Sequence, residues 1–426
     1  MHSKDFDIVV DPVSKIEGHA ELDIRVRNGE VEHVKLKINE NKRFYTQAVR
    51  GKNFNSIPQL VSRICGTCSV AHLNCSTEAL EKALNVEPSQ QTKLIRKLSM
   101  YGLNIRDHAM HLYLFCLPDI FKKDSVLDFE GKDAQWIKDA FEVKAAGNAL
   151  STLVLGRAVH GMYAQIGGYA KVPEKEQMKQ TVEKLKSVRQ KVLKLIDLFY
   201  NRDFVYKRKT NHVALITKDY SFLEGEIQSS TGICIPEINY WDHLERVVIP
   251  YSQAVGYKFD KADYMVGALS RMNMNKAAMH PETKKDAGKY ISVFPSDNIY
   301  HNNLAQAIEI LHCIDHSIEI LESSEFTAEK KAPPQGKASK GVGVLEAPRG
   351  TLYYMMELDG AGTIKFANII TPSQQNQINM EDDFRGYIPT ILDWDKHDIE
   401  HELEKMIRAY DPCFSCASHF LKINWI

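Results

Sequence analysis

Nothing in this 426-residue chain approaches the ~18 to 20 consecutive apolar residues that crossing a bilayer requires. Its best run, LYLFCLPDI at 112–120, is about half that length. The opening residues, MHSKDFDIVV, lack a basic segment followed by an apolar one, so no secretory signal is read. A cytoplasmic location is expected, with export or membrane attachment left to a partner. Charge of one sign is also lacking. With 54 basic side chains against 55 acidic ones, no general pull toward nucleic acid or anionic membrane is expected. The short basic run YKRKT at 206–210 reads as a solvated face. Internal repeats are absent, and so is a strand–G-x-G-x-x-G–helix unit; the glycines of GVGVLEAPRG at 341–350 stand at the wrong spacing. Cysteine is sparse, and eight residues in a chain of this size do not make a disulfide scaffold.

What is present is apolar material for a large core, 44% of all residues. Residues 6–38 alternate apolar and polar side chains around a turn at RNGE, the pattern of strands in a hairpin. From about residue 57 a helical period takes over. STEALEKAL (76–84) opens with capping residues, and QTKLIRKLSMYGLNIRDHAMHLYLFCL (91–117) predicts one long helix ended by Pro118. Residues 135–165, 174–202 and 303–321 predict further helices. The polar stretch 329–343 reads as a surface loop, and 350–372 as a β-hairpin turning at DGAG. A last helix over 396–409 delivers DPCFSC.

The expected class is α+β. A large, mostly helical core, a long helix bundle, is joined by a small β element that the N-terminal strands share with the hairpin near 350–370. No internal boundary is read. One integrated domain is expected, with a β part at about 5–40, a helical core at about 57–330, a hairpin and metal-binding segment at about 343–419, and a tail at 420–426.

Four cysteines are scattered: Cys75, Cys116, Cys234 and Cys313 read as free thiols. The other four form two C-x-x-C pairs near opposite ends of the chain, Cys65–Cys68 and Cys413–Cys416. Three chemistries fit that pattern. A tetrahedral zinc site would use all four thiolates, although small zinc modules keep their pairs much closer in sequence. A dithiol redox centre would need only one pair. A soft transition metal such as nickel or iron would also take thiolate ligands.

The surroundings of the pairs favour the last. VVDPVSKIEGHAELDI (9–24), RICGTC (63–68), EAPRGTLYY (346–354), TPSQQN (371–376) and DPCFSCASH (411–419) follow one another in an order that resembles the large, catalytic subunit of nickel–iron hydrogenases. RDHAMHLYLFCLPD (106–119) and LGRAVHGMYAQIGG (155–168) are similar to segments of the same family, so the resemblance runs from end to end. It implies reversible splitting of H2 into protons and electrons. Cys65 and Cys413 would bind nickel terminally, and Cys68 and Cys416 would bridge it to an iron carrying CO and cyanide. Glu17 would take a proton from Cys413 and pass it toward solvent. Arg349 would stand over the open position of the centre, held by Asp119 and Asp411. Pro348 and Ser373 would line the pocket of the diatomic ligands, and His72 would hydrogen-bond a bridging sulfur. His108 and His111 share a helical face and carry no assigned role.

The resemblance also implies a magnesium or iron ion near the C-terminus. His419 matches one of its ligands, but the usual glutamate is replaced by Thr46, a poorer donor for such an ion. Family members are commonly cleaved after the terminal histidine by a maturation protease, which here would remove FLKINWI. The leftover thiols are too scattered to hold an iron–sulfur cluster. Electrons would therefore leave through an iron–sulfur small subunit and onward to further subunits. The compact length looks most like the cytoplasmic, bidirectional, NAD(P)-linked branch, with a flavin- or NAD(P)-binding module. Two rivals of other kinds are a hydrogen sensor with the same centre and low turnover, and a respiratory-complex relative that has lost the metal. The second of these lacks the cysteine pairs that this chain keeps.

Overall fold

The computed structural model describes residues 5–40, 44–331, 333–334 and 338–418. The N-terminal alternation forms a three-stranded antiparallel sheet of β1 (Phe6–Val10), β2 (Ala20–Arg27) and β3 (Glu30–Ile38), in that order. Ile8, Leu22, Ile24, Val34 and Leu36 turn one face into the core.

The helical body is built from α1 (Ser69–Ala83), α2 (Gln90–Ala109), α3 (Ala134–Leu155), α4 (Lys175–Tyr200) and α5 (His301–Ser323). Ser89 caps α2 by accepting from Thr92 N, and α3 stops at Gly156, which takes the left-handed conformation with φ 78°. The predicted single helix over 91–117 is not one regular helix. It changes to a π-helix at Met110–Cys116 and resumes as an α-helix over Leu117–Phe121. Pro118 therefore does not end it. Proline stands in the first turn of the new segment, where its missing N–H is not needed.

At the C-terminal end, β4 (Ser339–Ala347), β5 (Gly350–Leu358) and β6 (Ile364–Ile370) form a second antiparallel sheet, followed by α6 (Pro372–Tyr387) and α7 (Lys396–Ala409). The shared β element expected from the sequence is corrected here: the N-terminal strands and this hairpin belong to separate sheets. A further correction concerns the span 57–330. Residues 211–265 hold a four-stranded sheet, including Asn211–Ile216 and Glu226–Ser229, and a hairpin of Leu244–Val248 with Val255–Phe259. Its strands are short, so their period cannot be told from buried loop by pattern alone.

Two close approaches bring the site together. β4 lies on α1 so tightly that a Cβ at Gly343 would stand 2.8 Å from Ala79 N, which only glycine permits. The polar start of α6 is buried and bonds to four other parts of the chain. Gln374 donates to Ala417 O (3.1 Å), Gln375 to Thr351 O (2.7 Å), Asn376 to Val266 O (3.0 Å) and Gln377 to Leu36 O (2.9 Å). The TPSQQN motif, with Gln377 directly after it, is thus a clasp between both sheets, the central β region and the C-terminal segment. Each bond satisfies a buried carbonyl that would otherwise be destabilising. One hydrophobic cluster extends from Ile8 to Ala417 around this clasp.

Candidate metal centre

Cys65 and Cys68 occupy the turn that leads into α1. Cys413 and Cys416 flank the start and body of a short helix, Phe414–Ala417. The N-terminal segment fastens the second pair, since Phe414 N donates to Glu17 O at 2.8 Å. The four sulfurs then lie within 4.8 Å of one another, all buried. Cys65 Sγ is 3.4 Å from Cys413 Sγ, Cys68 Sγ is 3.1 Å from Cys416 Sγ, and the two sulfurs of the second pair are 3.0 Å apart.

These separations exceed a disulfide bond of about 2.05 Å, and the cysteines are unbonded. They fall inside the ~4.6 Å that two thiolates on one metal, each at about 2.3 Å, can span. The donor set therefore fits a thiolate-bound metal centre. The four sulfurs share protons unevenly. Hydrogen bonds from Cys413, Cys416 and Cys68 pull the Cys65 thiol well below its ordinary range. Burial, and hydrogen bonding to that neighbour, push Cys413 and Cys416 up.

Arg349 stands at the tip of the two-residue turn between β4 and β5 and is buried. Its Nη1 donates to Asp107 Oδ2 at 3.0 Å, and its Nη2 lies 3.0 Å from Asp411 Oδ1. Its Nε has no hydrogen-bond partner among the described residues, a buried donor left open beside the sulfurs. One expectation is overturned. Asp119 does not hold Arg349; it receives Arg408 through two bonds, at 2.7 and 2.8 Å, and Lys15 at 3.3 Å. The π-helix between Asp107 and Asp119 turns the later residue toward the C-terminal end of α7, whereas Asp107, on α2 itself, faces the turn of Arg349. Asp107 was legible as a carboxylate between Arg106 and His108 in an apolar helix, but no pattern names its partner.

Glu17 is half-buried, and its Oε1 lies 3.9 Å from Cys65 Sγ. Its link to Cys413 runs through the backbone. Burial, and then the negative charge of Cys65, raise its carboxyl to about 7, partly offset by Arg349. His72 Nε2 lies 3.6 Å from Cys416 Sγ, and its Nδ1 meets the Tyr354 hydroxyl at 2.7 Å. Tyr354 was missed because a tyrosine in an apolar strand reads as core. The Ser373 hydroxyl accepts from Cys413 N at 2.7 Å, which leaves its own proton to donate. Pro348 is buried next to Arg349, its carbonyl accepting from Arg271 at 3.0 Å. Thr46 lies on a short helix, Tyr45–Ala48. His419 and the tail 420–426 lie outside the described residues.

His111 and Gln306 extend the site outward. Gln306 donates to Asp411 Oδ2 at 2.8 Å, and His111 Nδ1 meets Gln306 Oε1 at 2.6 Å. His108 bonds to Glu309 at 2.9 Å. Among the described residues, no helix is long and apolar enough to cross a membrane.

Comparison with known proteins gives the same direction throughout. The profile of the nickel-dependent hydrogenases matches residues 43–148 and 236–419, and a HoxL-like profile matches residues 7–40. Over 98% of its length the chain is 30% identical to the whole of sulfhydrogenase 2 subunit alpha of Pyrococcus furiosus. It is 27% identical to NAD-reducing hydrogenase HoxS subunit beta of Cupriavidus necator, covering 97% of this chain and 95% of that one. In fold it is similar to a chain of an NAD+-reducing NiFe hydrogenase in the H2-reduced state, with a TM-score of 0.87, 23% identity, and coverage of 97% and 99%.

Proposed function

The chain belongs to the nickel-dependent hydrogenases as a large, catalytic subunit, and from that premise we propose that it cleaves H2 reversibly and heterolytically, passing electrons to an iron–sulfur small subunit. The observation that carries this reading is the convergence of Cys65, Cys68, Cys413 and Cys416 within 4.8 Å from two ends of the chain. These cysteines are placed to bind the nickel–iron centre, whose iron carries CO and cyanide in this family. When bound, the centre supplies a soft, redox-active pair of metals on which a nonpolar molecule can be polarised. In this reading Cys65, Cys68, Cys413 and Cys416 together would hold the two metals and supply them with soft thiolate donors.

The surrounding side chains divide the remaining work. Glu17 Oε1 accepts a proton released at the sulfurs, a role suited to a carboxyl raised to about 7. Arg349, held by Asp107 and Asp411, presents a fixed positive charge to the cluster. His72 and Ser373 donate toward the centre from the side, and Pro348 walls it off from water. The whole chain acts as one integrated unit, since both halves of the ligand set are needed.

Similarity to the NAD-reducing hydrogenase chains supports a complex in which electrons continue to an NAD(P)-linked module. The test is infrared spectroscopy and metal analysis of the purified complex. CO and cyanide bands are expected, with nickel present and iron in excess of it, because the small subunit's iron–sulfur clusters add to the iron of the centre. Zinc alone between the cysteines would overturn the reading. Turnover of H2 with a redox dye distinguishes an enzyme from a sensor.

A further inference from the structure

Arg106 is buried, 4% exposed, at the end of α2 nearest the sulfurs. The crossing of α2 and α3 is tight there: a Cβ at Gly147 would lie 2.7 Å from Arg106 N, so the glycine lets α3 press on the backbone that carries this side chain. The guanidinium donates to two carbonyls. One is Thr67 O, at 2.6 Å, inside the Cys65–Cys68 turn; the other is Ala158 O, in the loop that follows α3. That loop is itself fastened to the same turn, because His160 N donates to Ser69 Oγ at 3.1 Å and His160 Nδ1 bonds to Ser62 O at 3.0 Å.

Neither partner of Arg106 carries a charge, and no ion pair to it occurs among the described residues. This sets it apart. Arg349, Arg408, Arg271 and Arg96 are buried too, and each meets a carboxylate at 3.0 Å or less. Asp107, the next residue along, is committed to Arg349. A buried cation without a counter-charge is strongly destabilising. Burial pushes its guanidinium down, and the negative charges of Asp107, Cys68 and Cys65 offset this in part; of these, Cys68 and Cys65 flank Thr67, whose carbonyl it binds.

We propose that Arg106 is a positioning residue that serves as the fixed counter-charge of the Cys65–Cys68 end of the centre and sets its reduction potential. A positive charge held in a dry site stabilises the more electron-rich state of whatever the thiolates bind. The same side chain bolts the 156–162 loop to the cysteine turn, so charge and geometry are delivered together. The inference rests on the nickel–iron reading of the four cysteines.

The experiment compares the wild-type complex with Arg106→Gln and Arg106→Lys, each purified with its partner subunits. Nickel and iron content, CO and cyanide band positions, and the midpoint potential of the centre are measured. Arg106→Gln is expected to move the bands to lower frequency and the midpoint to more negative values, while Arg106→Lys stays close to wild type. A loaded Arg106→Gln complex with unmoved bands and midpoint overturns the proposal. If Arg106→Gln takes up no metal, Arg106→Lys decides: metal uptake with a near-native midpoint supports the proposal, and failure to load makes Arg106 a clamp and overturns it. Absence of CO and cyanide bands in the wild type would instead sink the nickel–iron reading on which this rests.

Discussion

Asp107 Oδ2 receives Arg349 Nη1 at 3.0 Å, with the carboxylate and the guanidinium both buried. The pair joins the buried C-terminal end of α2 to the tip of the C-terminal hairpin. It brings a cation to the cysteine cluster that would be unaffordable there alone. Removing one member of a buried pair leaves the other uncompensated, at about 3–5 kcal/mol.

Asp107→Asn should therefore lower H2 oxidation by about 10²–10³-fold, the size expected when a preorganised charge loses its support. Asp119→Asn should not act in the same way. It breaks the bond to Arg408 and should lower the melting temperature while leaving the infrared bands of the centre in place. Equal catalytic losses in the two variants, with equal metal content, would contradict the assignment of Asp107 as the partner of Arg349.

Glu17→Gln keeps the shape of the side chain and removes its ability to take a proton. Metal content and infrared bands should be native, while H2/D2O exchange falls by about 10²–10⁴-fold. Full exchange in this variant would take Glu17 out of the proton route. Loss of metal would make its role structural.

Cys68→Ser replaces a soft sulfur by a hard oxygen in a buried site. Purified protein should lack stoichiometric nickel and iron. The same outcome is expected for Cys416→Ser, whose sulfur lies 3.1 Å from that of Cys68. Either variant retaining both metals in full would argue against a centre shared between the two ends.

Stability should fall on mild acidification for a reason remote from the centre. Burial lowers His312 to about 3, and it lowers His316 and His212 to about 4. An unfolded histidine titrates near ~6.5, so below that pH the unfolded chain binds protons that the folded one refuses. The penalty is absent at pH 7.5. It begins as the pH drops through ~6.5 and grows by up to about 1.4 kcal/mol per unit for each histidine until the folded values are reached. Thermal unfolding of the complex at pH 7.5 and pH 5 should show the fall, and His312→Gln should make it shallower. An identical pH slope in the variant would remove His312 from the account.

The helices over 174–202, 303–321 and 396–409 were legible because each carries a long 3.6-residue period with clear end signals. They stand at Lys175–Tyr200, His301–Ser323 and Lys396–Ala409. The short strands between 211 and 265 were not legible, since a buried strand of four to six residues has no period to distinguish it. The π-helix at Met110–Cys116 was hidden for a different reason: it differs from an α-helix only in which carbonyl each amide meets, a choice settled by packing.

At the centre, the amino-acid order by itself determined the ligand chemistry. Two C-x-x-C pairs are soft donors whatever surrounds them, and the ordered motifs Lys15–Glu17, Pro348–Arg349 and Asp411–Cys416 mark the family. Which side chains face each other was decided only by the tertiary structure. Asp107 and Asp119 look alike along the chain, and so do Arg349, which meets two carboxylates, and Arg106, which donates to two carbonyls. Charge pairing depends on distances of a few ångströms between segments hundreds of residues apart, and those distances exist only once the helices, hairpin and glutamine clasp have packed.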